Sequence, residues 1–125
     1  MANNKSVKKM TATARFVEAS DSGSGTGAKT LADTMSIPIG SVVTACITKG
    51  EVASNSGDNN ETATITVGGV SVSAALNQAA MAAGNVNTDT LGAVTTTNAN
   101  IGLTVGTSEI TAGTLDIILE YYLID

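Results

Sequence analysis

Few residues in this chain can do chemistry. Its 125 residues hold eleven acids, six lysines and arginines, one cysteine and no histidine. Without imidazole, the commonest general base and the commonest zinc ligand are both missing. Cys46 sits among Val43, Ala45 and Ile47. That is the setting of a small buried hydrophobe, not of a nucleophile, which needs a base beside it. Asp116 and Glu120 make a carboxylate pair of the general kind that hydrolyses glycosides. Four apart on an alternating segment, they read instead as the solvent side of a strand.

Two segments imitate ligand sites. Gly23-Ser-Gly-Thr-Gly-Ala-Lys29-Thr30 nearly spells a phosphate-binding loop, but Ala28 stands where a glycine must precede the lysine. Pro38 also cuts short the long helix such a loop has to open. The segment reads as a flexible loop. Asp58, Glu61 and the asparagines between them offer oxygen ligands, yet a calcium loop alternates its ligands around a central glycine and ends on glutamate. Here the reading is a solvated hairpin loop. No catalytic residue, cofactor site or metal site is assigned.

Charge is distributed unevenly. Lys5, Lys8, Lys9 and Arg15 place four of the six basic residues in the first fifteen positions, with no acid among them. The remainder holds two basic and eleven acidic residues, a balance of −9 within a net −5. An acidic body disfavours nucleic acid as a ligand, because phosphate binding needs clustered positive charge. Residues 1–9 read as a basic arm able to reach an acidic partner surface, or as a solvated, frayed terminus.

The rest of the composition describes a scaffold. Residues 10–125 suffice for one domain, with a core built almost without rings, since Phe16, Tyr121 and Tyr122 are the only aromatics. So thin a core favours burial against copies of the chain or a larger surface. A lone cysteine excludes an intrachain disulfide framework. The first sixteen residues lack a signal peptide's apolar run, and the 27 uncharged residues between Glu61 and Asp89 are too polar for a membrane span. The expectation is a soluble protein made in a cytoplasm, with no membrane partner.

Alternation sets the elements. Leu115, Ile117, Leu119, Tyr121 and Leu123 fall on every second residue of Thr114–Ile124 and predict a strand with one face fully buried. The other phase, with Asp116, Ile118, Glu120 and Tyr122, is only partly apolar, as for a half-covered face. Met10–Glu18 predicts a first strand with Met10, Ala12, Ala14 and Phe16 on one side, and Ser41–Lys49 a second with Val43, Ala45 and Ile47 together. Pro38 predicts a short edge strand or extended segment. Gly68-Gly69 between Thr62–Val67 and Val70–Val72 predicts a tight hairpin. Residues 74–83, rich in Ala, Leu, Gln and Met, predict a two-turn helix ending at Gly84-Asn85. Residues 93–97 and 100–105 complete the strands. With nineteen threonines suited to a pleated, half-wet surface and no βαβ alternation, the fold class is all-β. It is expected to be an antiparallel β-sandwich, jelly-roll-like, with seven or eight short strands and one short helix. An immunoglobulin-type sandwich would want the buried Trp and paired Cys that are missing.

Ile101-Gly-Leu-Thr-Val-Gly106, then Thr111-Ala-Gly113, then Leu115-Asp-Ile-Ile-Leu-Glu-Tyr121 resembles the C-terminal end of small tailed-bacteriophage virion proteins. Those chains run an apolar strand, a glycine turn, a Thr-Ala-Gly turn and a final alternating strand closing on tyrosine. The resemblance covers roughly the last quarter of the chain, and its matching positions are structural. It implies a non-enzymatic virion protein on the capsid surface, of the decoration, cement or head-fibre kind, with the major capsid protein as partner. The basic arm, with Lys5, Lys8, Lys9 and Arg15, would then clamp the shell and order on binding. A symmetric homo-oligomer is expected, a trimer being one form. The competing function is a tail or fibre-tip module that recognises a host receptor or glycan through the loops at 20–29 and 53–61.

Overall fold

A computed structural model describes residues 7–21, 25–94 and 99–124. Among them the elements are β1 (Val7–Val17), α1 (Glu18–Asp21), β2 (Gly27–Thr30), β3 (Asp33–Thr34), β4 (Ser36–Ile37), β5 (Val42–Asn55), β6 (Thr62–Val67), β7 (Val70–Ser71), β8 (Val86–Val94), β9 (Ala99–Gly106) and β10 (Ala112–Ile124). One sheet runs β3-β1-β10-β5-β8; the other runs β2-β9-β6-β7, with β4 also paired to β9. All these pairings are antiparallel. With the two-residue strands β3 and β4 set aside, the remaining eight strands in chain order pair as 1-8-3-6 and 2-7-4-5. This is a jelly-roll-like order, and the fold is an all-β sandwich as expected.

The terminal strand is the spine. β10 pairs with β1 from Ile124 opposite Val7 to Thr114 opposite Val17, and on its other edge with β5. Leu115, Ile117, Leu119 and Tyr121 are buried against Ala12, Ala14 and Phe16 of β1 and against Ala63, Ile65, Val67, Ile101, Leu103 and Val105 of the facing sheet. Each of these side chains sits on the inward phase of its strand, so branched aliphatics from two pleated faces interdigitate into one core. Gly68 and Gly69 turn the β6–β7 hairpin with φ of 58° and 82°. This left-handed pair matches the twist of the strands it joins.

Three features depart from the expectations. The alternation in β5 breaks: Val43 and Ala45 are buried, then Cys46 and Thr48, while Ile47 is half-buried. A register shift between Val43 and Ala45 against β8, and another between Glu120 and Tyr121 of β10, mark a bulge that moves the inward phase by one residue. Residues 74–83 do not form the expected helix. Leu76 exchanges backbone hydrogen bonds with Ala63 (2.7 and 2.9 Å), and Ala83 bridges Gly50. That leaves room between them for one turn only. Asn85 and Asn87 amides then donate to the Ala80 carbonyl (3.0 and 2.7 Å) and compete for an acceptor a helix would need. The short helix is instead α1, where Asp21 accepts from the Val17 and Ala32 amides at 2.8 and 3.2 Å. Finally, β8 begins at Val86, ahead of the expected 93, and residues 95–98 lie outside the described residues.

Candidate functional site

Alternation along β1 places Lys9, Thr11, Thr13 and Arg15 on the outward face of the larger sheet, in register with Tyr122, Glu120, Ile118 and Asp116 of β10. The register then brings together the basic residues near the N-terminus and the two acids of the last strand. Arg15 donates from Nε to Asp116 Oδ1 at 2.6 Å and from Nη2 to Oδ2 at 3.1 Å, a two-point fork on a carboxylate. The hydrogen bond and charge of Asp116 raise the Arg15 guanidinium above its ordinary value, and Arg15 holds the Asp116 carboxyl below its ordinary 3.8. Lys9 Nζ lies 3.5 Å from Glu120 Oε1, and Lys49 Nζ lies 3.3 Å from Glu51 Oε1. These pairs are solvated, and their worth is orientation more than stability.

Of the four basic residues expected to bind a partner, Lys9 and Arg15 thus share one sheet face and are each matched by an acid of that face. Lys8 lies on the opposite phase of β1, exposed, across from Leu123. Lys5 lies outside the described residues.

The imitation sites take other forms. Gly27–Thr30 of the glycine-rich segment is the edge strand β2 against β9, with β3 following closely and no helix to receive a phosphate; Gly23 lies outside the described residues. The 55–61 segment is not simply solvated, because Glu61 is 0% exposed. Its Oε2 accepts from Ser54 Oγ at 3.0 Å and its Oε1 from Ser56 Oγ at 2.9 Å. Ser108 Oγ donates to Asp58 at 2.8 Å, which holds the Asp58 carboxyl below its ordinary value. This network ties the end of β5 to the start of β6 and to the β9–β10 loop. Sequence reasoning missed it, because Ser54, Ser56 and Glu61 sit in a polar run in which nothing marks them as buried. Among the described residues no group of acids and cysteine is arranged to hold a metal ion, and no helix is long and apolar enough to cross a membrane. Cys46 is buried, and burial, aided by the nearby Asp89 charge, pushes its thiol up to about 12. It is a packing residue.

No protein-family model matches the chain, and no curated protein matches it in sequence. Solved structures do. A chain in the acidic stable capsid structure of Helicobacter pylori bacteriophage KHP30 superposes with a TM-score of 0.63 at 14% identity, over 96% of this chain and 94% of that one. A chain in the capsid asymmetric unit of cyanophage Pam1 superposes with a TM-score of 0.58 at 15% identity, over 98% and 89%. At such identity the shared property is the fold.

Proposed function

We propose that this protein is a non-enzymatic structural component of a phage virion that decorates or cements the outside of the capsid. Its partner is the major capsid protein, and it attaches partly through the basic N-terminal arm, with Lys5 and Lys8, because Lys9 and Arg15 of the expected set are already matched by Glu120 and Asp116. The observation that carries this reading is size for size: the whole sandwich matches nearly the whole of chains from two phage capsid structures. Fold alone assigns no function. Yet jelly rolls recur in viral shells, and the local C-terminal resemblance, read from residue types and not from fold, points to the same class of particle.

The physics of attachment fits such a role. A shell repeats its binding surface many times, so contacts that are weak singly add up when the decorating protein is itself a symmetric oligomer, a trimer being one closed form. Lys8 is exposed at the start of β1, where the first six residues join the sandwich. Exposed positive charge at this end of a protein that is otherwise acidic suits an acidic shell surface.

Binding to purified heads lacking the protein tests this. The full chain, a chain without residues 1–6 and Lys8→Glu are titrated onto such heads and the bound fraction is read by cosedimentation. The truncated chain and Lys8→Glu are expected to bind at least about tenfold more weakly, roughly 1.4 kcal/mol, with unchanged thermal unfolding. Equal occupancy by all three would remove the arm from the attachment.

A further inference from the structure

We infer that the outward face of the β3-β1-β10-β5-β8 sheet is the seat of a neighbouring copy of this chain. The inference rests on the oligomeric reading above and names the surface that would make it.

Three of the seven large apolar side chains that stand exposed among the described residues share this face. Ile118 lies between Thr13 of β1 and Ile47 of β5 in the cross-strand register. Val86 pairs with Lys49, in phase with it. Met35 closes the row at the margin, its amide donating to the Thr13 carbonyl and its sulfur accepting from the Thr13 hydroxyl at 3.5 Å. The other four are scattered singly, Met10 in β1, Ile39 in a loop, Val70 at a hairpin and Val52 at the bulged end of β5 beside Phe16 and Leu115, where exposure needs no explanation.

The charges of the face explain why a copy fits it. Lys9, Arg15 and Lys49 are paired with Glu120, Asp116 and Glu51, so the six cancel. Asp33, opposite Arg15 in register, adds one further acid to the face, so most of the net −5 of the chain falls elsewhere. Two acidic molecules repel wherever their unpaired acids approach, and on this surface, with Asp33 as the one acid in excess, they meet with little of that cost. Its pairs are already made, so a neighbour need supply no counter-charge.

The terminal strands of the sheets offer little competing route, although β3 covers β1 only at Ala14 and Arg15. β3 and β7 have two residues each and β2 has four. β8 is longer, but it carries Asp89 opposite the buried Cys46, and the Asp89 carboxylate accepts from the Ala74 amide at 3.2 Å. An inward-pointing charge of this kind guards an edge against strand addition. The size is also sufficient. Four long strands at about 4.8 Å spacing and eight residues of about 3.4 Å rise cover about 500 Å². Covering it on two molecules buries about 1,000 Å², the lower bound for a specific interface.

Sedimentation of the isolated full chain at micromolar concentration reads the outcome, with Ile118→Lys as the variant. Ile118 is 36% exposed, and a lysine stem can lie on the sheet with its charge in water. Ile39→Lys, at a site 58% exposed and off the face, is the control, and unreactive Cys46 verifies folding of both. The wild type and Ile39→Lys are expected to share one oligomeric mass, and Ile118→Lys to dissociate at least about tenfold more readily. A monomeric wild type, or an Ile118→Lys oligomer as tight as the wild type, overturns the inference. Neither result bears on head binding, measured separately. Conversely, an oligomer that ignores heads would leave this face assigned and the capsid role refuted.

Discussion

Arg15 and Asp116, 101 residues apart in the chain, meet through two hydrogen bonds of 2.6 and 3.1 Å across the β1–β10 ladder. The pair joins the first strand to the last at the centre of the larger sheet and fixes their register from the solvent side, where no core packing would. Lys9 and Glu120 repeat the arrangement further along the same two strands.

This pairing has a signature in acid. Asp116 is held below its ordinary 3.8 chiefly by the Arg15 hydrogen bond. A carboxyl depressed by folding contributes stability above its unfolded pKa and loses it as pH falls through the lower folded value. The wild type is therefore expected to lose stability below about pH 4, and Arg15→Gln to show a shallower loss over the same window. Urea midpoints at pH 6, 4 and 3 check it; parallel acid profiles would dissociate Asp116 from Arg15.

Gly50 is a close-approach glycine. Its amide donates to the Asn85 carbonyl at 3.0 Å, its carbonyl accepts from the Gly84 amide at 2.7 Å, and a Cβ there would lie 2.2 Å from the Ala82 carbonyl oxygen. The obstacle is backbone, which cannot rotate aside. Gly50→Ala is expected to cost about 1–3 kcal/mol, as for other overpacked sites. Alanine at Gly57, where nothing lies within 4 Å, should change far less. Chemical denaturation of both variants makes the comparison.

The buried carboxylate of Glu61 is needed as an acceptor. Glu61→Ala strands the Ser54 hydroxyl and leaves Ser56 only Asp58, 3.1 Å away, as acceptor, and should cost about 1–3 kcal/mol. Glu61→Gln keeps the volume and one acceptor oxygen, and a serine hydroxyl can accept from its new amide. It is therefore expected to lie much closer to the wild type. Equal losses in the two variants would mean that packing, not hydrogen bonding, holds the 54–61 segment.

Cys46 reports the integrity of the core. With its thiol pushed up to about 12 by burial, almost none is thiolate at pH 8, and only the thiolate reacts. Maleimide labelling of the native protein is expected to be negligible and to become complete on unfolding in urea. Rapid labelling under native conditions would show that β5 opens locally.

Legibility in the sequence followed physical cause. The terminal strand and the β6–β7 hairpin were readable because period-two burial and a Gly-Gly turn are local properties. The β5 bulge was not, since Ala45 and Cys46 are both small and apolar and nothing in their types says which faces inward. The expected helix at 74–83 failed because strand pairing of Leu76 and Ala83, a tertiary event, overrides propensity. For the site, Lys9 and Arg15 were recognisable as basic, but their partners Glu120 and Asp116 come from a strand more than a hundred residues away, and only the register reveals the match.

Location on the particle tests the central claim most directly. Intact virions that encode this chain, labelled with gold-conjugated antibody and viewed by electron microscopy, are predicted to carry gold spread over the head. Gold confined to the tail, or no gold on the particle, would contradict a capsid role.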